Sequence, residues 1–276
     1  MTRILRKEKL AENIHLIEVE APLIARAARP GQFVVLRLNE SGERIPLTIA
    51  DKHPEKGTIE IIFQEAGATT KLLAGFNTGD EIKNLLGPLG TPAHVEKVGT
   101  VAVIGGGVGI AETYPAIVAY KAAGNRVITI IGARCKELLI TESKLRAASD
   151  EFHIITDDGT CGRKGFVTDI LKELIEEEKP IDLVFAVGPV PMMEAVSKLT
   201  YPHGIKTVVS LNPLMLDATG MCGVCRVTVG GKTLFACVDG PEFNAHLVDF
   251  AELKLRLSTF KDKEKEALDH VCRLSK

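Results

Sequence analysis

Short apolar runs separated by turn-forming clusters fill the first hundred residues. Segments 14–20, 33–38, 45–49, 58–64 and 81–86 are mostly Ile, Val and Leu. Between them lie Arg29-Pro30-Gly31, Asn39-Glu40-Ser41-Gly42 and Asn77-Thr78-Gly79-Asp80. This spacing predicts an antiparallel β-barrel or sandwich, interrupted by one helical turn over 70–74. From about Gly99 the pattern changes to alternating strand and helix. Strands are predicted at 101–104, 127–131, 152–156, 183–187 and 206–210, with helices at 110–123, 166–178 and 191–199. Such alternation implies right-handed crossovers and a parallel sheet covered on both faces. A last block from about Pro213 carries three closely spaced cysteines, then a charged stretch, 243–274, that reads as helix. The expected layout is an N-terminal antiparallel β-barrel (1–97), an α/β parallel-sheet domain (98–212) and a small module with a C-terminal helix (213–276).

Length and composition narrow the class. A chain of 276 residues holds roughly two domains. Hydrophobic residues at 45% and charged residues at 25% exclude a disordered chain. Lys+Arg 34 against Asp+Glu 36 gives a net charge of −2, so no basic field favours nucleic acid as a partner. The N-terminus lacks the apolar run of a signal peptide, and no stretch approaches the ~20 apolar residues of a membrane span. The expectation is a cytoplasmic protein with neither a nucleic-acid nor a membrane partner. Six cysteines are too few for a disulfide scaffold. Cys135, Cys161 and Cys272 read as small buried hydrophobes; Cys222, Cys225 and Cys237 need another explanation.

Four groups of residues carry candidate chemistry. Gly105-Gly106-Gly107-Val108-Gly109 joins a predicted strand to an Ala-rich helix. Such a turn brings backbone amides and a helix N-terminus close to a pyrophosphate. Counted from Gly105, the third glycine of G-x-G-x-x-G is replaced by Ile110, so a plain strand-to-helix turn stays open. Arg44 and Thr48 share one side of a strand; the first offers a guanidinium fork for phosphate, the second a hydroxyl for a heterocycle. Gly67-Ala68-Thr69-Thr70 opens a short helix and is a second candidate phosphate cradle. The strongest signal is D-x4-C-x2-C-x11-C, formed by Asp217, Cys222, Cys225 and Cys237. Plant-type [2Fe–2S] proteins use C-x4-C-x2-C with a distant fourth cysteine. Here an aspartate holds the first position, while Gly220 and Gly223 suit a loop wrapped around a cluster. Zinc is the other reading of these cysteines, and Cys272 is an alternative fourth ligand.

With those residues the chain resembles the ferredoxin–NADP reductase superfamily. Within it, the chain is similar to electron-transfer subunits of dihydroorotate dehydrogenase and to small subunits of NADH-dependent reduced ferredoxin:NADP oxidoreductases, the sulfide dehydrogenase beta-subunit type. The resemblance runs through Arg44-Ile45-Pro46-Leu47-Thr48, Gly87-Pro88-Leu89-Gly90, the glycine run, Thr156-Asp157-Asp158-Gly159, Gly188-Pro189 and the segment 210–237. It implies FAD on the barrel, with Arg44, Pro46, Leu47 and Thr48 along the cofactor and Gly67, Thr69 and Thr70 on the other side of its phosphates. It implies NAD(H) held by Gly106, Gly107, Gly109, Asp158 and Gly188. It also implies a [2Fe–2S] cluster with Asp217 as the fourth ligand, the departure from the dihydroorotate branch.

The resemblance further implies a heterodimer with a larger subunit bearing flavin and iron–sulfur centres, reaching ferredoxin indirectly through electron bifurcation. The expected path runs NADH, FAD, [2Fe–2S], partner, with either direction open and no acid–base dyad or Ser-His-Asp machinery. His246 reads as a surface or capping residue. One residue pulls the other way. The second α/β strand ends at Arg134, where NAD-specific sites usually place an acid, and an arginine there suits the 2′-phosphate of NADP. Two further readings stay in view: the electron-transfer subunit of an NAD-dependent dihydroorotate dehydrogenase, and a zinc-stabilised nucleotide-binding regulator.

Overall fold

The computed structural model describes residues 1–274. Its first part holds β1 (Thr2–Ala11), β2 (Ile14–Glu20), α1 (Pro22–Ala27), β3 (Phe33–Arg37), β4 (Ile45–His53), β5 (Thr58–Gln64), α2 (Ala68–Ala74), β6 (Glu81–Ile82) and β7 (Asn84–Leu89). These strands form one antiparallel seven-stranded sheet in the order β6-β1-β2-β5-β4-β3-β7. Strands β2 and β5 carry apolar residues on both faces because both faces are buried. Ile17, Val19, Ile59, Ile61 and Phe63 point into the barrel core. Ile14, Leu16 and Ile62, on the opposite face, pack with Ile110 and Ile117 of the next domain. Each fully buried side chain of this size contributes roughly 1.5–3 kcal/mol. Strand β1 escapes the hydrophobic pattern because only Ile4 of it is fully buried.

The second part holds β8 (Thr100–Gly106), α3 (Ile110–Ala122), β9 (Arg126–Ala133), α4 (Glu142–Ala148), β10 (Glu151–Thr156), β11 (Arg163–Lys164), α5 (Val167–Glu176), β12 (Leu183–Val187), α6 (Val190–Thr200) and β13 (Lys206–Ser210). Helix α5 shows why the pattern reads so clearly here. Val167, Ile170, Leu171 and Leu174 fall on one stripe and are buried. The Asp169 carboxylate caps the helix start by accepting from the Phe166 amide at 2.8 Å.

The last part differs from the expected single charged helix. It contains β14 (Arg226–Val229), β15 (Lys232–Phe235), β16 (Glu242–Asn244), α7 (Phe250–Ser258) and α8 (Lys261–Leu274). The β14–β15 hairpin turns through Gly230 and Gly231, both at positive φ, as a two-residue hairpin turn requires. Strand β16 leaves this module and pairs antiparallel with β13. The second sheet therefore reads β11-β10-β9-β8-β12-β13-β16, parallel except for that added edge. Helix α7 is capped by Asp249, which accepts from the Glu252 amide at 2.9 Å.

The three parts share cores. Phe33 and Val35 of the barrel lie in the same hydrophobic cluster as Cys225, Val227 and Cys237 of the last module and Ile104 and Val184 of the parallel sheet. A polar clasp joins barrel and sheet as well. Lys144 on α4 reaches Asp51 at 2.5 Å and Glu60 at 3.6 Å, and stands over the Tyr114 ring. Asp51, His53 and Glu60 have a spacing that suits a metal, but Lys144 and Arg6 supply the positive charge there.

At the far side of the sheet, Glu151 binds Lys179, His153 and Arg126 at 2.8–2.9 Å. Lys179 above all, with His153 and Arg126, holds the Glu151 carboxyl down at about 2. A depressed carboxyl stabilises the fold above its unfolded value near 4.5, and that stability is lost as pH falls toward 2. Glu151→Gln is expected to flatten this acid arm by on the order of 1–2 kcal/mol, since its partners are partly solvated. Urea midpoints at a series of acidic pH values measure it; parallel curves for both proteins would contradict it.

Candidate functional site

In an open parallel sheet, ligands bind beyond the C-terminal strand ends where the strand order reverses. Here β8 lies between β9 and β12, so the order turns back at β8 and β12. The structure brings Gly106 at the end of β8 with Gly107 and Gly109 after it, Arg134 after β9, Asp158 after β10 and Gly188 after β12 to this same end. Arg134 and Asp158 meet directly, the Asp158 amide donating to the Arg134 carbonyl at 3.2 Å. Both side chains are exposed. The Asp158 carboxylate accepts from the Thr160 hydroxyl and amide, which hold its pKa below the usual carboxylate range.

The glycines divide into two kinds. A Cβ on Gly109 would stand 2.7 Å from the Val187 carbonyl oxygen, and one on Gly188 would stand 2.8 Å from that of Gly106. Close contact between the two strand-to-helix turns accounts for these glycines. Gly107 is different: its φ is +57° and a Cβ there would meet nothing within 4 Å. Of the run, Gly107 is the position with open space where a side chain would stand.

On the barrel, Arg44 is exposed and makes no ion pair among the described residues, while Ile45, Pro46, Leu47 and Thr48 are half-buried along β4. The segment before α2 is more occupied than its sequence suggests. The Thr70 hydroxyl accepts from the Ala66 and Gly67 amides at 3.0 Å, and Thr69 donates to Glu43 at 3.0 Å. Those two threonines serve the local loop, whereas Gly67 has open space where a Cβ would stand. A free arginine, a half-buried strand and an open glycine fit a dinucleotide laid across the barrel.

The cysteine loop is equally specific. Cys225 and Cys237 are buried with their sulfurs 3.2 Å apart, beyond the ~2.05 Å of a disulfide. Burial, then the neighbouring Cys225, pushes the Cys237 thiol up to about 12. Two adjacent buried thiols are disfavoured as thiolates unless a cation compensates them, which suits metal ligation. Asp217 accepts from the Thr219 amide at 3.0 Å and the Cys222 amide at 2.9 Å. These bonds, the Thr219 amide first, lower its pKa and keep it ionised. Cys222 is exposed at the loop tip beside Met221. The loop turns through Ala218, Gly220 and Gly223, all at positive φ. The donor set fits an iron–sulfur cluster.

The remaining cysteines, Cys135, Cys161 and Cys272, are half-buried rather than enclosed. His246 is also half-buried, its Nε2 3.0 Å from the Thr200 hydroxyl, and burial lowers its pKa. Glu112, which the sequence reading passed over, lies near the crevice with Glu242. In the first turn of α3, burial raises the Glu112 carboxyl to about 7 against an opposing effect of the Thr48 and Ser210 hydroxyls, and on β16 burial, then the Glu112 charge, raises Glu242 to about 7. A carboxylate three residues past a glycine run, within Ile-Ala-Glu-Thr-Tyr, was the available signal for the first.

A barrel, a doubly wound sheet and a thiol loop in this order define a modular redox protein of the ferredoxin-reductase fold. Phthalate dioxygenase reductase shares that fold at 18% identity and a TM-score of 0.57, over 83% of this chain and 85% of that one. A family model described as the iron–sulfur cluster binding domain of dihydroorotate dehydrogenase B matches residues 212–249. A Thermotoga maritima protein named as a dihydroorotate dehydrogenase B (NAD(+)) electron transfer subunit homolog is 46% identical over 265 residues, 96% of this chain and 93% of that one. The Bacillus velezensis dihydroorotate dehydrogenase B (NAD(+)) electron transfer subunit is 31% identical, over 87% and 94% of the two chains. A chain of the NADH-dependent reduced ferredoxin-NADP oxidoreductase structure, reported for flavin-based electron bifurcation, superposes with a TM-score of 0.93. The two are 43% identical, with 98% and 97% coverage. The chain belongs to the family of dihydroorotate dehydrogenase B electron-transfer subunits and their homologs.

The two kinds of glycine separate by mutation. Gly109→Ala is expected to destabilise the fold by about 1–3 kcal/mol through overpacking. Gly107→Ala is expected to cost roughly 1 kcal/mol, from its left-handed backbone alone. Denaturant midpoints give both values; equal losses would refute the distinction.

Proposed function

We propose that this chain transfers electrons between NAD(H) and a one-electron partner through FAD and a [2Fe–2S] cluster. The observation that carries the reading is the pairing of Cys225 and Cys237 in a core shared with Phe33 of the barrel. That arrangement sets the thiol loop beside the barrel strands. Residues 1–97 are assigned to FAD, 98–212 to the nicotinamide nucleotide and 213–276 to the cluster. When bound, FAD supplies conversion of a hydride's electron pair into single electrons, and the cluster carries them one at a time.

The chain's own residues bind and orient. Arg44 supplies a free guanidinium to the FAD pyrophosphate. Pro46, Leu47 and Thr48 present one strand to the flavin ring, and Gly67 leaves room for the phosphates. Gly107 opens the crevice to a nicotinamide dinucleotide, and the α3 N-terminus favours its negative charge. Gly106, Gly109 and Gly188 act by letting the two turns approach. Asp217, Cys222, Cys225 and Cys237 hold the cluster, with the carboxylate a harder donor than thiolate.

The exposed Cys222 and Met221 mark the loop tip as the exit toward a larger flavin- and iron–sulfur-bearing subunit. In a bifurcating complex that subunit would pass electrons on to ferredoxin. A dihydroorotate dehydrogenase partner is the second reading, supported by the names of the relatives at 31% identity. The whole-chain likeness to electron-transfer subunits counts against a zinc-stabilised regulator.

Protein purified without air is expected to show flavin absorbance, a visible iron–sulfur band and acid-labile sulfide. Material lacking both chromophores defeats the assignment. Asp217→Cys is expected to keep the cluster and change its spectrum and potential; if neither moves, Asp217 is not a ligand.

NADH is expected to bind more tightly than NADPH even though Arg134 follows β9. Gly107→Ala is expected to weaken NADH on the order of tenfold. Titration calorimetry checks both, and a preference for NADPH would reverse the specificity.

A further inference from the structure

Two arginines that the cofactor assignment does not use tie down the loop that carries the thiols. Arg226 donates from Nη1 to the Gly223 carbonyl at 3.1 Å, and Arg256 donates from Nη2 to the Val224 carbonyl at 3.0 Å. These are the two consecutive carbonyls between Cys222 and Cys225. Packing does not close this side of the loop. A cavity of about 190 Å³ lies there, lined by Leu214, Val224, Leu257 and Phe260 with the two arginines. Neither guanidinium meets a carboxylate among the described residues, and each donates to a backbone carbonyl instead. Two positive charges therefore stand beside the thiol loop without a counterion from the chain.

Arg256 reaches the loop from 32 positions further along because of how α7 is seated. Phe250 and Leu253 are buried in one hydrophobic cluster with Cys225 and Cys237, and Leu257 packs against it. Residues three and four apart share a helix face, so Arg256, three past Leu253, is carried to the same side. An arginine in the last helical turn ordinarily serves its own helix end; this one donates to a different segment. In a trans peptide the N–H points opposite to the preceding C=O, and the loop peptides are trans. Fixing the Gly223 and Val224 carbonyls toward the guanidiniums turns the Val224 and Cys225 amides the other way. Among the described residues no backbone carbonyl accepts from either amide.

We propose that Arg256, supported by Arg226, is a positioning residue for the [2Fe–2S] cluster: it holds the loop with these amides turned toward the thiols, and its fixed charge keeps the reduction potential high. The inference rests on the cluster assignment made above. Net charge, hydrogen bonds to sulfur and solvent exposure set the potential of such a centre. An added electron makes the centre more negative, so a nearby guanidinium favours the reduced state. Arg256 is half-buried and Arg226 exposed. Salt and water screen the second more than the first, so the larger share falls to Arg256.

An anaerobic redox titration of the whole chain, followed by the paramagnetic signal of the reduced cluster, tests this. Arg256→Gln is expected to lower the midpoint potential by on the order of tenfold in the one-electron equilibrium, about 59 mV. Arg256→Lys keeps the charge but not the planar fork, and should recover part of that shift. Arg226→Gln should move the potential the same way by less. Lys254→Gln removes a charge from the same helix, but Lys254 pairs with Glu194 of α6 at 2.9 Å, and the potential should stay in place. An unmoved potential in Arg256→Gln, or an equal shift in Lys254→Gln, overturns the proposal. Amide hydrogen exchange over 222–226 is the second readout. Arg256→Gln is expected to speed it severalfold while the α7 amides keep their rate. Unchanged exchange overturns the proposal, also where that variant loses its cluster. Wild-type protein without acid-labile sulfide defeats the cluster assignment, and the exchange arm still decides whether Arg256 holds the loop.

Discussion

The close approach of two backbone turns governs everything around the crevice. The turn after β8 and the turn after β12 touch through Gly106, Gly109 and Gly188, leaving no room for a side chain. Because they touch, β8 and β12 lie side by side and the strand order reverses between them. That reversal opens the one place where a dinucleotide can meet several strand ends at once. It also aims the first turn of α3 at β4 of the barrel, since α3 starts immediately after Gly109.

A second constraint is the sharing of cores. In a chain built from three pieces, independent cores would let each piece move on its own. Here the outer faces of β2 and β5 are buried by α3, and Phe33 is buried with the cysteine module. Electron transfer between carriers on separate pieces depends on fixed spacing, and apolar contacts of this extent fix it. Lys144 adds a charged link at the opposite edge of the same contact, reaching two carboxylates across the boundary. Partial exposure limits its worth to about 1 kcal/mol or less, so packing holds the pieces and the ion pairs set their register.

Much of this was legible in the residues, for physical reasons. Strand β12 is apolar at every position because both faces are covered, and a run of that kind announces itself. Helix α5 did so through its stripe. Strand β1 did not, because most of its positions are polar or exposed and only Ile4 of it is fully buried. The hairpin turn at Gly230-Gly231 was readable, yet the neighbouring cysteines drew the eye, and β16 was absorbed into a charged stretch. At the candidate site, the sequence could not separate Gly107 from its neighbours. Open space and close contact are tertiary facts. The same holds for Thr69 and Thr70, whose hydroxyls look free in sequence and are committed to Glu43 and the loop amides in the fold. Glu112 and Glu242 are 130 positions apart in the chain, and only the fold makes them neighbours.

The return of β16 to the parallel sheet has a consequence for how such chains recombine. Three hydrogen-bonded positions, Val208, Val209 and Ser210, are paired with Asn244, Phe243 and Glu242. A shuffled gene joined just after residue 212 would strip β13 of its outermost neighbour and leave a bare ladder of amides and carbonyls, an invitation to aggregate. A graft that carried the thiol loop away would also take with it a structural rib of the nucleotide-binding half. Inheritance of the two halves as one piece is therefore built into the hydrogen bonding of the sheet itself.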